Sequence, residues 1–359
     1  MRRTLQFYFL RRFIASFLST LAMVFALAYL IDLIELSRRG RFEDIPFSTL
    51  AMISALRVPS FVEQAFPFIV LFASIFTLLT LNRRMELTVA RASGVSIWQI
   101  LAPFLFGATM LGLLAVTAYN PLASLAQANS ARIETLVGGG ELSVSDDRPP
   151  WLRQDAEGVR SIIGARAVAD GGRALGGVAA FIFDADGNVS ERIDARGARL
   201  VDGAWEIDDA TVTRIGYPPE PREEIRLPTE LLPEYVEERI ADPQTISIWQ
   251  LGEKIRAARS LGYDADAFAM RFHTLIAMPA LFAAMVLVAA TVAVRYARIG
   301  QSGPTIVLGI AAGFVLYVVN FLAQALGSNA LAPAVLAAWF PVVAAGLLGT
   351  TILLHQEDG

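Results

Sequence analysis

Residues 13–31 read FIASFLSTLAMVFALAYLI, and no side chain in this run carries a formal charge. A helix of about 20 apolar residues crosses the hydrocarbon core of a bilayer, which is about 30 Å thick. The run is followed by Asp32, Glu35 and Arg38 rather than by a small-residue cleavage pattern. It is therefore predicted to be a retained transmembrane helix and not a cleaved signal peptide.

Uncharged runs of similar length recur along the chain and predict six transmembrane helices, three on each side of a polar insertion. We expect an α-helical membrane protein with a 3+3 helix arrangement and an inserted periplasmic β-jellyroll-like domain. The expected domains are residues 1–131, 132–268 and 269–359. The remaining spans are residues 64–81, extended backwards through Pro59 to about Ser48, then 98–119 and 274–294, and two spans within 299–354 that are divided by residues 327–333.

Composition supports a membrane protein and excludes several classes of enzyme. Only 18% of the 359 residues are charged and 55% are hydrophobic, whereas about a quarter of residues are charged in soluble domains. The chain has no cysteine and two histidines, which argues against thiolate sites and histidine-based metal centres. The single lysine, Lys254, lies in no Walker A loop. We expect no catalytic residues, no metal, no cofactor and no nucleic-acid partner.

Charge is unevenly distributed and predicts the orientation. Residues 132–272 carry 17 basic and 26 acidic side chains, while the rest of the chain carries 13 and 8. The side of the membrane richer in arginine is expected to be cytoplasmic. Both termini are then cytoplasmic and the acidic insertion is periplasmic. The arginines beside the spans are Arg2, Arg3, Arg11, Arg12, Arg83, Arg84, Arg91, Arg295 and Arg298 on one side, and Arg38, Arg39 and Arg41 on the other.

The insertion has the pattern of β-structure. Residues 181–183, 204–207 and 211–213 are three strand-like runs, and residues 184–188 and 201–203 are turn sequences. This spacing predicts a small sandwich or an open jelly roll. The first turn is rich in aspartate, but its glycine is fourth and its twelfth position is alanine, which favours a hairpin turn over a calcium loop.

A connecting helix is predicted from about residue 247 to 261, before the fourth span. Trp249, Leu251 and Ile255 follow a helical spacing among charged residues, which is typical of an amphipathic helix. We interpret it as a packed connector that leads back to the membrane.

The segment between the second and third spans, at about residues 83–97, is the first candidate for function. Leu87, Ala90 and Gly94, with Val89, lie on a helical period, and Gly94 can end a helix. A short helix on the cytoplasmic side could dock another protein, or it could rest on lipid headgroups. The spacing alone does not decide between the two.

The outer end of the first span is the second candidate. Arg38, Arg39 and Arg41 could hold phosphates by bidentate contacts, or they could be snorkelling anchors that Asp32 and Glu35 neutralise. Composition alone favours the anchors.

Glu63 lies within the extended second span, where an ionised carboxylate is costly unless it is paired or hydrated. Arg57, six residues earlier, is one possible partner of Glu63. A position of Glu63 at a helix end, at headgroup level, is the alternative.

Residues 85–96, MELTVARASGVS, resemble the signature E-L-x-x-x-x-A-[SC]-G-[FIV]-[ST] of the lipopolysaccharide export permeases, the LptF/LptG (YjgP/YjgQ) family. The resemblance extends over essentially the whole chain. Pro59 and Pro67 match prolines of that family's second helix, and residues 247–251 are similar to its S-L-W-E-L run. Residues 32–40 are similar to the end of helix one in LptG, which favours LptG over LptF.

The resemblance implies a permease subunit of an ABC transporter that extracts lipopolysaccharide from the inner membrane and passes it to a periplasmic bridge. The implied partners are an LptF-type permease, a dimer of LptB-type ATPases, in which ATP hydrolysis occurs, and an LptC-type bitopic protein. Glu86 matches the acidic residue that meets basic residues of LptB. The matched positions are Glu86, Leu87, Ala90, Arg91, Ser93 and Gly94 for ATPase coupling, and Arg38, Arg39 and Arg132 for lipopolysaccharide.

Three alternatives remain open. The chain could be the LptF-type sibling of the same complex. It could be a secondary transporter driven by an ion gradient, although the last three predicted spans contain no charge and no visible repeat. It could also be a membrane-anchored scaffold whose β-domain only binds partners.

Overall fold

The computed structural model gives the fold of most of the chain. The residues that it describes are 2–38, 46–137, 142–143, 151–156, 158–169, 173–184, 187–201, 203–214, 216–229, 243–260, 265–297 and 303–358.

Long helices make up most of the described structure. Six stretches are long and apolar enough to cross a membrane, as predicted. The third consists of α4 and α5 joined by a π-helical turn, Ala115–Tyr119. The helices are α1 Arg2–Arg38, α2 Phe47–Arg83, α3 Glu86–Ala92, α4 Ile97–Leu114, α5 Asn120–Val137, α6 Ile248–Ser260, α7 Asp266–Ala297, α8 Gly303–Ser328 and α9 Ala334–Asp358.

The third span continues to Glu134, beyond its predicted end at residue 119, and the start of the fourth span also needs correction. The fourth span begins at Asp266, well before the predicted residue 274, and it includes Arg271. The prediction began the span only after Arg271, because it took the charged residues before residue 274 to lie outside the membrane. The helix continues through them because Arg271 has a buried partner. By contrast, the connecting helix α6 matches its prediction, with Leu251, Ile255 and Ala258 on the buried face.

The helical core is formed by α2, α4 and α7. Phe66 of α2 lies at its centre, with its ring centroid 4.7 Å from that of Tyr119 and 6.0 Å from that of Phe282. Helix α1 packs against this core through a few buried aromatic side chains, and the ring centroid of Phe13 lies 5.4 Å from that of Phe104. Many of the other described side chains of α1 and α8 are exposed apolar groups, which is the pattern expected where lipid or another membrane protein covers a helix.

The described strands form one antiparallel sheet in the order β1-β3-β4-β5-β6-β7, with β2 also pairing with β3. Consecutive strands from β3 to β7 are neighbours, so this part of the sheet is a meander. The jelly-roll label stays a prediction. The strands are β1 Leu142–Ser143, β2 Trp151–Ala156, β3 Val159–Ala169, β4 Ala174–Phe183, β5 Val189–Val201, β6 Ala204–Arg214 and β7 Glu220–Pro228.

A row of small and β-branched side chains crosses the sheet. Ile163, Ala180, Ile193 and Val212 are successive partners in β3 to β6, and all four are buried. Cross-strand packing of this kind fixes the register, because a shift by one residue would expose every member of the row.

Two sequence predictions for the sheet had different outcomes. Asp184 and Asn188 close the predicted hairpin turn between β4 and β5, and the Asn188 amide donates to the Asp184 carboxylate at 2.8 Å. Residues 204–207 and 211–213 were predicted to be separate strands, and this was wrong, because both belong to β6. Asp209, with a φ of 49°, produces an irregularity in that strand and does not end it.

The chain divides into two compact units. One consists of Met1–Arg38, Pro46–Ala128 and Pro243–Gly359 and contains the helical core. The other includes Asn129–Asp242 and contains the sheet. The predicted domain boundaries at residues 131 and 268 remain predictions.

Candidate functional site

A short helix, α3, lies between two long helices and forms the first candidate site. Helix α2 ends at Arg83, and Met85 then adopts a left-handed conformation with a φ of 60°, which separates α2 from α3. Helix α3 ends before Gly94, whose φ of 81° suits glycine. The helix is thus shorter than the predicted segment 83–97, because a left-handed residue limits it at each end.

One side of α3 is anchored to the rest of the unit. Ala90 is buried, and its carbonyl accepts a hydrogen bond from the Val95 amide at 3.2 Å and one from the Ser93 hydroxyl at 2.7 Å. Leu87 is half-buried. Ser96 then starts α4, accepting a bond from the Gln99 amide at 3.4 Å. The segment is therefore a defined helix with a fixed inner side.

The other side of α3 is exposed and combines apolar and basic groups. Val89 is 67% exposed, and Met85, which directly precedes the helix, is 63% exposed. Arg91 is also exposed, as are the neighbouring Arg83 and Arg84. An exposed apolar patch with adjacent charges is typical of a surface that another protein or a membrane surface covers.

Glu86 occupies the first turn of α3 and is half-buried. Its Oε1 accepts a hydrogen bond of 3.2 Å from the Tyr8 hydroxyl, and the Tyr8 oxygen accepts one of 3.1 Å from Arg12. Sequence reasoning expected Glu86 to meet a partner protein and missed this contact within the chain, because Tyr8 is 78 residues away.

Two of the three predicted lipid-binding arginines lie within the described residues. Arg38 is the exposed last residue of α1, Arg39 lies outside the described residues, and Arg132 is an exposed residue of the unit that contains the sheet. Asp32, one turn and a half before Arg38, is buried and lies 3.7 Å from Arg57. The neutralising partner of Asp32 is therefore Arg57.

Glu63, Asn120 and Arg271 form a buried polar cluster, of which sequence reasoning identified only Glu63. Glu63 is 1% exposed and pairs with Arg271 at 2.5 Å, so the suggested pairing with Arg57 was wrong. Asn120 donates to both Glu63 oxygens, at 3.1 and 3.3 Å. The only signal in the sequence was the cost of a lone carboxylate in an apolar span, which predicts some partner without naming it.

Comparisons with known proteins match nearly the whole chain to one family. The family profile "Lipopolysaccharide export system permease LptF/LptG" matches residues 7–355. The Lipopolysaccharide export system permease protein LptG of Escherichia coli K12 is 23% identical over 350 residues, which is 95% of each chain. The LptG protein of Haemophilus influenzae is 25% identical over 334 residues, 89% of each chain. The chain therefore belongs to the LptF/LptG family of lipopolysaccharide export permeases.

Proposed function

We propose that the chain is the LptG-type permease subunit of an ABC transporter that extracts lipopolysaccharide from the inner membrane. The observation that carries the proposal is α3: a family-signature segment that forms a discrete, anchored helix with an exposed apolar and basic side. A helix of this kind suits a subunit that receives force from an ATPase partner. Both relatives described above are named LptG.

The proposal includes the partners and the orientation. An LptF-type permease would complete the cavity, a dimer of LptB-type ATPases would bind α3, and an LptC-type protein would receive the lipid. The arginine distribution supports cytoplasmic termini and a periplasmic sheet. The chain itself would be non-catalytic.

The need for ATP follows from the lipid. Removing one acyl chain of about 14 carbons from a bilayer costs about 10 kcal/mol, at about 0.8 kcal/mol for each buried CH₂ group. A lipid with several chains does not leave at a useful rate unless a protein cavity replaces the bilayer around it. The exposed apolar faces of α1 and α8 are suitable walls for such a cavity.

The ATPase contact is tested by reversing one charge. Glu86→Arg should reduce the ATPase recovered with the tagged complex at least about tenfold, because losing a charge pair across an interface costs roughly 2 kcal/mol or more. Tyr8→Phe is the matched control, since it removes the internal hydrogen bond to Glu86 but keeps the carboxylate. Undiminished ATPase recovery with Glu86→Arg would contradict the proposal.

The lipid contact is tested by Arg38→Glu combined with Arg39→Glu. This variant should lower photo-crosslinking of lipopolysaccharide while the complex stays assembled, because two phosphate-binding charges become repulsive. Arg256→Glu, a charge reversal at another exposed arginine, is the control. Equal lipid recovery from the double variant and the unmodified complex would reject the assignment of these two arginines.

A further inference from the structure

Four helices of the helical unit meet at one buried polar cluster. Glu63 belongs to α2, Asn120 begins α5, Arg271 lies in α7, and Ile248 begins α6. Arg271 and Asn120 both bind the Glu63 carboxylate, and the Asn120 side-chain oxygen accepts a hydrogen bond of 2.9 Å from the Ile248 amide. A single asparagine thus joins the ion pair to the first turn of the connecting helix.

Stability alone is a poor explanation for this cluster. Burying a carboxylate and a guanidinium costs several kcal/mol per ion, and well-packed apolar side chains of the same volume often stabilise a protein as well or better. The cluster is also incompletely satisfied: Arg271 Nε is buried and has no hydrogen-bond partner among the described residues. A polar cluster whose hydrogen bonds are specific but not all formed is suited to an interface between helices that separates and closes again.

The helices around the cluster contain irregularities at the same level. Pro67 has no N–H, so it cannot bond the Glu63 carbonyl four residues earlier. Pro59, four residues before Glu63, is a second interruption of α2, and its carbonyl accepts a bond of 3.0 Å from the Tyr119 hydroxyl. The π-helical turn ends immediately before Asn120. Prolines and π-turns are the usual causes of helix bending, so α2 can bend where the cluster holds it.

The cluster lies between the two ends of a mechanical path. Helix α2 leads directly into α3, the proposed ATPase contact, and α6 is the last helix before α7 on the return from the sheet in sequence. We propose that Glu63, Asn120 and Arg271 form a latch that holds the first turn of α6 on α2, α5 and α7, and that opens and closes as α2 moves during lipid transport. This inference rests on the proposed function, because the movement of α2 is attributed to the ATPase.

A distance measurement in the intact complex tests the latch. The chain has no cysteine, so Trp249→Cys on α6 and Leu122→Cys on α5 are the only two spin-label sites in this chain, and both side chains are well exposed; the partner subunits are used in cysteine-free form. The distance should be measured by pulsed electron paramagnetic resonance, first without nucleotide and then with ATP trapped by vanadate. We expect it to change by roughly 2–5 Å between the two states, the scale of helix shifts in such transitions.

Two variants and one control complete the test. Asn120→Ala removes the hydrogen bond to Ile248, and Glu63→Gln removes the charge that Arg271 neutralises. In both variants the distance between the two labels should be the same with and without nucleotide. Both should also release at least tenfold less lipid per ATP hydrolysed. Gln64→Ala is the control, because Gln64 makes an exposed hydrogen bond of 3.3 Å to Gln244 beside the cluster. This control should behave like the labelled parent, which is the complex that carries the two spin labels and no other substitution.

The failure of the latch and the failure of the proposed function are distinguishable. If the labelled parent copurifies with ATPase and lipid but shows one unchanged distance in both states, the latch is wrong and the proposed function stands. A nucleotide-dependent change that survives in Asn120→Ala or Glu63→Gln also overturns the latch. If neither ATPase nor lipid copurifies with the parent, the proposed function fails. If Asn120→Ala does not fold, the latch is tested by the distances of the labelled parent in the two nucleotide states and by the same measurement on Glu63→Gln.

Discussion

The hydroxyl of Tyr8 lies 3.2 Å from Oε1 of Glu86 and joins the beginning of α1 to the first turn of α3. Arg12 strengthens this contact, since it donates to the Tyr8 oxygen at 3.1 Å and lies 5.4 Å above the Tyr8 ring. The exposed helix is therefore held by α1 through side chains as well as by α2 and α4 through the backbone. We therefore expect a force applied to α3 to reach α1 by this contact.

Tyr8→Phe should uncouple α1 from α3 without removing the ATPase contact. The lost hydrogen bond is worth about 0.5–1.5 kcal/mol, which corresponds to a decrease of up to about tenfold in lipid released per ATP hydrolysed in proteoliposomes. ATPase recovery should stay unchanged, because Glu86 keeps its charge. Tyr317→Phe, at a half-exposed tyrosine of α8, is the control. An unaltered ratio of lipid to ATP in Tyr8→Phe would show that the contact transmits nothing.

The buried ion pair should respond differently to single and double substitution. Arg271→Leu leaves the Glu63 carboxylate buried without its cation, and such losses cost about 3–5 kcal/mol of stability. Glu63→Leu combined with Arg271→Leu removes both charges and should recover a large part of that loss. The measurement is the thermal unfolding midpoint in detergent. Gln64→Leu, at the exposed neighbouring position, should change the midpoint little. A double variant as unstable as Arg271→Leu would contradict this account.

The six helices were predictable from the sequence because an uncharged run of sufficient length is a local property. The partner of Glu63 was not, because Arg271 is 208 residues away and was placed outside the fourth span. Arg57 is near in sequence, but residues six apart on a helix do not face one another. Arg57 instead lies 3.7 Å from Asp32 of α1.

Local patterns also explain the outcome at the sheet and at α3. The hairpin at Asp184 was predictable, since turn residues act through nearby backbone groups. The two halves of β6 were not recognised as one strand, because the pairing of β6 with β5 and β7 outweighs the poor strand propensity of Asp208 and Asp209. The position of α3 followed from its signature, whereas its contact with Tyr8 required the fold.

Gly94 should tolerate only residues that adopt its backbone conformation. Its φ is 81°, and nothing lies within 4 Å of the position that a β-carbon would take. Any defect in Gly94→Val therefore comes from the backbone, at about 1–2 kcal/mol for a left-handed conformation. This should misplace the end of α3 and lower ATPase recovery about tenfold, whereas Gly94→Asn should retain most of it, since asparagine tolerates this region. Equal recovery with both variants would mean that the conformation at Gly94 is unimportant for docking.

Gly112 should be needed for close contact between α4 and α7. A β-carbon at Gly112 would lie 2.5 Å from the Cα of Pro279, and backbone at that distance cannot move aside as a side chain can. Gly112→Ala should therefore push the two helices apart and cost about 1–3 kcal/mol, which is measurable as a lower thermal unfolding midpoint.

Gly346→Ala is the matched control for Gly112→Ala, because a β-carbon at this position in α9 meets nothing within 4 Å. It should leave the midpoint unchanged or raise it, since alanine is favoured over glycine in a helix by about 0.5–1 kcal/mol. If both variants lowered the midpoint equally, the cause would be a general intolerance of larger residues and not the contact between α4 and α7. A lower midpoint in Gly112→Ala alone would locate the effect at Pro279, where α7 passes through the core that also carries Phe282.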